Sequence, residues 1–249
     1  MSPEGYGSFG SHAPFYAKAR RGFPECVFDH LQRRSAHRRK VLDMGCGTGI
    51  SSCQLADHGF HVTGCDIDGR MVNQALLGLA NHTIEYIEAP ANHVPRLDES
   101  FEVVTAFSSF HWFCDDSSIL EIRRLLVDEG ILFVVNKNDQ SEIGAIIRDV
   151  LEAFSPPAIS RRDVKTNYYP ERILNYNRFN DIEEFTCSVV ERYSIEEAVL
   201  YSQSTSLWNL VTEESRNRAA DTLAKILGSY ARNGFVERRL EIRAVSGYR

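Results

Sequence analysis

Val41-Leu42-Asp43-Met44-Gly45-Cys46-Gly47-Thr48-Gly49 is a short apolar run that collapses into a glycine-rich turn and opens onto the helix-compatible stretch Ile50 to Asp57. The pattern predicts a strand, a tight loop and a helix. Glycines at 45, 47 and 49 remove side chains where the backbone must turn sharply. A ligand can then approach main-chain N–H groups and the positive end of the helix. Asp43 stands just before the first glycine, where a carboxylate repels a pyrophosphate but can hold an ammonium group. A second strand-like run, Phe60 to Cys65, ends in Asp66, at about the 20-residue spacing where an acid accepts hydrogen bonds from ribose hydroxyls. The dinucleotide fingerprint calls for a further glycine after Gly47, and Ile50 stands at that position. A tight turn with no ligand is the plain alternative.

S-adenosylmethionine satisfies both acids, since it has a ribose for Asp66, an ammonium for Asp43 and no phosphate. The stretch resembles motif I of class I S-adenosylmethionine-dependent methyltransferases, in which an acid and a glycine-rich loop follow the first strand. The segment around Tyr16, Arg20, Gly22 and Pro24 is similar to the entry of the trans-aconitate-methyltransferase-like (methyltransferase type 11/25) branch, which closes as a lid over the cofactor. Arg21 and Phe23 depart from that pattern. The stretch Ala89 to Pro95 resembles the one that meets the adenine, with Pro90 as a departure because it has no N–H. Ser108 to Phe113 resembles the branch's signature at the carboxyl end of the fourth strand.

The resemblance implies an α/β fold, a doubly wound, mostly parallel seven-stranded Rossmann-like sheet whose last strand is antiparallel, with a helical cap. It implies one domain over residues 1–249, comprising an arm and lid (1–38), a cofactor-binding core (39–137), and a cap insertion with the final strands (138–249). The cofactor is S-adenosyl-L-methionine, and its product S-adenosyl-L-homocysteine. Tyr16, Arg20, Asp43, Gly45, Cys46 and Gly47 take cofactor positions, as do Asp66, Ile67, Met71, Ala91, Asn92 and Phe107. Met71 leans on the adenine or is plain core.

The chain of 249 residues has 43% apolar and 25% charged residues, ordinary for a globular protein with a sizeable core. Its net charge of −6 opposes attraction to a nucleic-acid backbone, so no nucleic-acid partner is expected. The basic cluster Arg33 to Lys40 lacks interleaved aromatics and reads as a solvated connector. Cys26, Cys46, Cys53, Cys65, Cys114 and Cys187 form no C-x-x-C pair and read as reduced thiols. No zinc-ligand spacing, signal segment or membrane-length apolar run is present, which makes a cytoplasmic location without membrane attachment the expectation.

Residues 1–10 read as a flexible arm, with order beginning near Phe15 and a helix starting at Pro24. A helix is expected over Arg70–Ala80, strands over Thr83–Glu88 and Glu102–Phe107, a helix over Ser117–Leu126, and a strand over Gly130–Asn136 with Gly130 as the break. Beyond residue 140 the periodicity predicts a helix to Phe154, a Pro156-Pro157 break, and an aperiodic stretch from Asn167 to Asn180. A strand over Phe185–Tyr193 follows, then helices over Ile195–Ser202 and Glu213–Ala231. Thr212 is the expected cap of the last helix, Gly234 its terminator, and Arg238–Val245 the final strand.

Methyl transfer from a sulfonium asks mainly for alignment and exclusion of water. An acceptor O–H or N–H profits from a base, and His111 is the candidate, the alternative being that it packs or bonds a backbone carbonyl. Trp112, Tyr201 and Trp208 are candidate walls of a pocket for a small-molecule acceptor, or core. The competing readings are a catalytically silent S-adenosylmethionine-binding module and an NAD-dependent oxidoreductase.

Overall fold

The computed structural model describes residues 9–78, 82–155 and 168–249. The readings for residues 1–8, 79–81 and the Pro156-Pro157 break lie outside them. Helices α1 (Ala13–Ala19) and α2 (Glu25–Ser35) come first, followed by β1 (Lys40–Met44), α3 (Ile50–Asp57), β2 (His61–Asp66), α4 (Gly69–Leu77) and β3 (Glu85–Glu88). Next are β4 (Phe101–Phe107), α5 (Asp116–Leu125), β5 (Leu126–Asp139), α6 (Glu142–Ala153) and α7 (Pro170–Tyr176). The chain ends with β6 (Asn180–Ser194), α8 (Ile195–Gln203), α9 (Arg216–Tyr230) and β7 (Phe235–Tyr248).

The strands form one sheet in the order β3-β2-β1-β4-β5-β7-β6. Strands β1, β2, β3, β4 and β5 pair in parallel, with Val41 set beside both Val62 and Val103. Strand β7 runs the other way against β5: Gln140 N–H donates to the Arg239 carbonyl and Arg249 N–H to that of Gly130, so numbers rise on one strand as they fall on its neighbour. The strand order reverses at β1, and the crevice beyond the carboxyl ends of β1 and β4 is where open α/β sheets hold ligands.

Two compact units are present, one of residues 21–137, 164–187 and 242–249 and the other of residues 1–20, 138–163 and 188–241. The first has a core of strand residues, Leu42, Met44, Val104 and Leu132, packed with Phe110 and Ile122. The second buries Ile147, Leu151, Trp208, Leu223 and Leu227 together.

Several local readings change. Gly130 is no break: β5 starts at Leu126, directly after α5, and its register with β4 jumps from Phe101↔Leu126 to Val103↔Ile131. The extra residues are absorbed by an irregularity in which Glu129 takes φ 58°. Helices α1 and α7 were missed because each has only seven residues, too short for a clear 3.6-residue repeat. Thr212 makes no side-chain cap, and a 3-10 turn over Glu213–Ser215 leads into α9 instead.

Candidate functional site

The turn after β1 holds Gly45, Gly47 and Gly49 at φ 69°, 56° and 81°, the left-handed region that only glycine enters freely. The three are crowded unequally. A Cβ on Gly45 would lie 2.6 Å from the Ser109 Cβ, and one on Gly49 would run into the Tyr86 phenol. On Gly47, among the described residues, it would meet only the Met71 Cε, at 3.3 Å. Gly47 is therefore the point where the loop is open to a ligand. Four of the loop's donors are engaged: Gly45 and Cys46 N–H donate to the Cys65 carbonyl at 2.7 and 3.0 Å, and Gly49 N–H to that of Cys46. Gly47 N–H donates to Asp66 at 2.9 Å.

The two acids differ. Asp43 is fully buried and accepts from Ser51 Oγ and Ser52 Oγ at 2.7 Å and from Thr105 Oγ1 at 3.0 Å. Burial pushes its carboxyl up to about 6 against these three donors. Its oxygens are thus taken up by hydroxyls of the chain itself beneath the loop. Asp66, at the end of β2, accepts from Gly47 N–H on one oxygen and from Asp68 N–H, at 3.0 Å, on the other. Burial raises this carboxyl as well, partly offset by those amides.

Around the loop, Met71 is buried on α4, Cys46 is buried in the turn, and Ile67 is 71% exposed beside Asp66. Ala91 packs on the strand core, and Asn92 is exposed in the turn after β3. Phe107 lies in an aromatic group with Phe23 and Phe28, at centroid distances of 4.8 and 5.7 Å. Gln54 grips Phe23 at both its N–H and its carbonyl, 2.9 Å each, and Lys137 donates to the carbonyls of Arg21 and Gly22.

At the carboxyl end of β4, Ser108 adopts φ 54°, a strained setting for a non-glycine residue. Ser109 Oγ donates to the Met44 carbonyl at 2.9 Å, joining this end to β1. A 3-10 turn over Phe110–Trp112 then presents His111. Its ring lies 4.9 Å from that of Trp112 and 5.7 Å, edge-on, from that of Tyr168. Asn136 Nδ2 donates to the Tyr168 hydroxyl at 3.2 Å.

Residues 42–134, which hold the glycine turn, both acids and His111, match the family described as a methyltransferase domain. Over these residues the chain is similar to that family. An uncharacterized methyltransferase of Mycobacterium tuberculosis is 31% identical over 146 residues, 56% of this chain and 58% of that protein, so the match spans little more than half of the relative. In fold, the whole chain is similar to a protein of Anaeromyxobacter dehalogenans provisionally described as a type II methyltransferase, with TM-score 0.68, 22% identity, and coverage of 92% and 97% of the two chains. It is also similar to Haemonchus contortus phosphoethanolamine N-methyltransferase 2 solved with S-adenosyl-L-methionine, with TM-score 0.54, 17% identity, and coverage of 95% of this chain and 57% of that one.

Beside this core, Asn136 and Tyr168 escaped the sequence reading. Asn136 carried a signal, as the last residue of an expected strand; Tyr168 sat in a stretch without periodicity. Tyr16, Arg20, Tyr201 and Trp208 belong to the other unit. There Arg20 donates to the Tyr201 hydroxyl at 3.3 Å and to the Ser204 carbonyl at 3.0 Å, and lies over the rings of Tyr16 and Tyr201. Arg238 covers the Tyr201 ring at 3.9 Å while bonded to Asp139 and Glu191. Burial alone would raise the Tyr201 phenol, but the two guanidiniums outweigh it and hold it below its usual value. Trp208 is 4% exposed within the apolar core of that unit. Among the described residues no helix is long and apolar enough to cross a membrane.

Proposed function

We propose that the protein is an S-adenosylmethionine-dependent methyltransferase that methylates an oxygen or nitrogen atom of a small organic metabolite, leaving S-adenosylhomocysteine. One observation carries the reading. The N–H groups of Gly45, Cys46, Gly47 and Gly49 are bonded within the chain, and two carboxylates lie at the loop. A pyrophosphate would need those donors and would be repelled by the acids; a ribose with no phosphate needs neither. The methyltransferase-domain match over the same residues supports the reading, as does the Haemonchus relative's complex with this cofactor.

In this proposal Asp66 takes the ribose hydroxyls on lone pairs left over from its two amide bonds. Met71, Ile67, Ala91 and Asn92 would hold the adenine. Asp43 acts through the loop, which it ties to α3 and β4 by its hydroxyl partners. Membership of the trans-aconitate-like branch rests on Tyr16, Arg20, Gly22 and Pro24.

The cofactor supplies a methyl group already activated on a sulfonium. The chain's work is to align the acceptor in line with that group and to keep water out. His111 accepts the acceptor's O–H or N–H proton, with Tyr168 holding the imidazole from its edge and Trp112 offering an apolar face. Calorimetry with S-adenosylhomocysteine and NADH, followed by methyl transfer from labelled cofactor into a metabolite extract, tests the reading. Binding of NADH in preference would overturn it, and tight cofactor binding with no labelled product would leave a silent binding module.

A further inference from the structure

Helix α2 lies along strand β6 in a regular ladder. Arg34 bonds Asp181 at 2.8 Å and Glu183 at 3.1 Å. One helical turn earlier, His30 stacks on Phe185 with centroids 4.5 Å apart and planes 12° from parallel, its Nε2 3.8 Å from Glu183. Positions four apart on a helix and two apart on a strand share a face. The next rung is therefore Cys26 against Cys187, and the Cys26 sulfur lies close enough to influence the Cys187 thiol. Both are half-buried, so a small oxidant can reach them, and β6 is the edge strand of the sheet.

We propose that Cys26 and Cys187 form a peroxide-sensitive dithiol that closes into a disulfide and staples α2 to the edge strand. Burial and the neighbouring sulfur push the Cys187 thiol up to about 12, and the first oxidation is assigned to Cys26. The Cys26 sulfur attacks the peroxide, the O–O bond breaks, and sulfenic acid and water form. Cys187 then attacks that sulfur, expelling its oxygen as a second water with the two remaining protons. The peroxide is the two-electron oxidant and both thiols are oxidised. Neither cysteine belongs to the glycine turn or to the His111 group, so the proposal stands apart from the assignment of cofactor.

The test uses the full chain treated with graded hydrogen peroxide, then denatured and labelled with maleimide. At low peroxide the protein should lose two of its six thiols together, with a peptide map joining Cys26 to Cys187. The Tm should rise by roughly 10 °C, reversibly with dithiothreitol, because the bridge closes a long loop. In Cys187→Ser a sulfenic acid should persist on Cys26 and be trapped by dimedone. Loss of a different thiol first, bridges only between molecules, or independent oxidation of the two sulfurs to sulfinic acid would each overturn the proposal. The measurements on the unmodified chain decide the matter even if a variant folds poorly.

Discussion

Alanine placed in turn at Gly45, Gly47 and Gly49 should separate what the fold needs from what the ligand needs. Each variant incurs the left-handed cost of a Cβ at positive φ, about 1–2 kcal/mol. For Gly47→Ala that is nearly the whole effect, because the 3.3 Å contact is with the end of a flexible methionine. Against a typical stability of about 5–15 kcal/mol, the variant should fold. Gly45→Ala adds a 2.6 Å clash with Ser109, whose hydroxyl joins β4 to β1. Gly49→Ala drives the Tyr86 ring, 3.0 Å away at Cζ, against its neighbours, with Ala75 Cβ at 3.1 Å. Forced repacking of this kind costs about a further 1–3 kcal/mol. Urea unfolding should therefore rank Gly47→Ala as clearly the most stable of the three. Calorimetry with S-adenosylhomocysteine should nonetheless show it at least about tenfold weaker, a loss of about 1.4 kcal/mol, since its new methyl occupies the open side of the loop. Equal destabilisation across the series would refute the packing argument, and unchanged affinity in Gly47→Ala would move the ligand elsewhere.

Asp66→Ala should weaken cofactor binding by about 1.5–3 kcal/mol in calorimetry, through loss of the ribose acceptor and of the brace on Gly47 N–H; unaltered binding would remove Asp66 from the site. Asp43 has a folded pKa of about 6 against an unfolded value of about 3.9, so its stabilising contribution is full below about pH 4 and disappears as pH rises through 6. Asp43→Asn, which can still accept from the serines and donate to Thr105, should gain on the parent by up to about 3 kcal/mol between pH 4 and pH 7; parallel urea-derived stability curves would contradict this. His111→Gln should lower turnover by about 10²-fold or more while leaving S-adenosylhomocysteine affinity within about twofold, and full activity in a methyl-transfer assay would reduce His111 to a packing residue.

The elements that carry the core were legible because they depend on short-range rules. Three alternate glycines force the turn after β1 through their positive φ values, and the alternation of apolar runs with helical spacing implies a parallel sheet. The position of Asp66 at the end of β2 follows from the same local geometry. Tertiary packing decided the partners. Asp43 looked free to meet a ligand, yet Ser51, Ser52 and Thr105 enclose it, and Thr105 reaches it only because β4 pairs beside β1. The Tyr168–Asn136 bond, the two arginines about Tyr201 and the Cys26–Cys187 rung likewise join residues far apart in the chain. Local sequence sets which side chains share a helix or strand face. Which face meets which is settled by burying apolar surface across the whole molecule, and no spacing along the chain records that outcome.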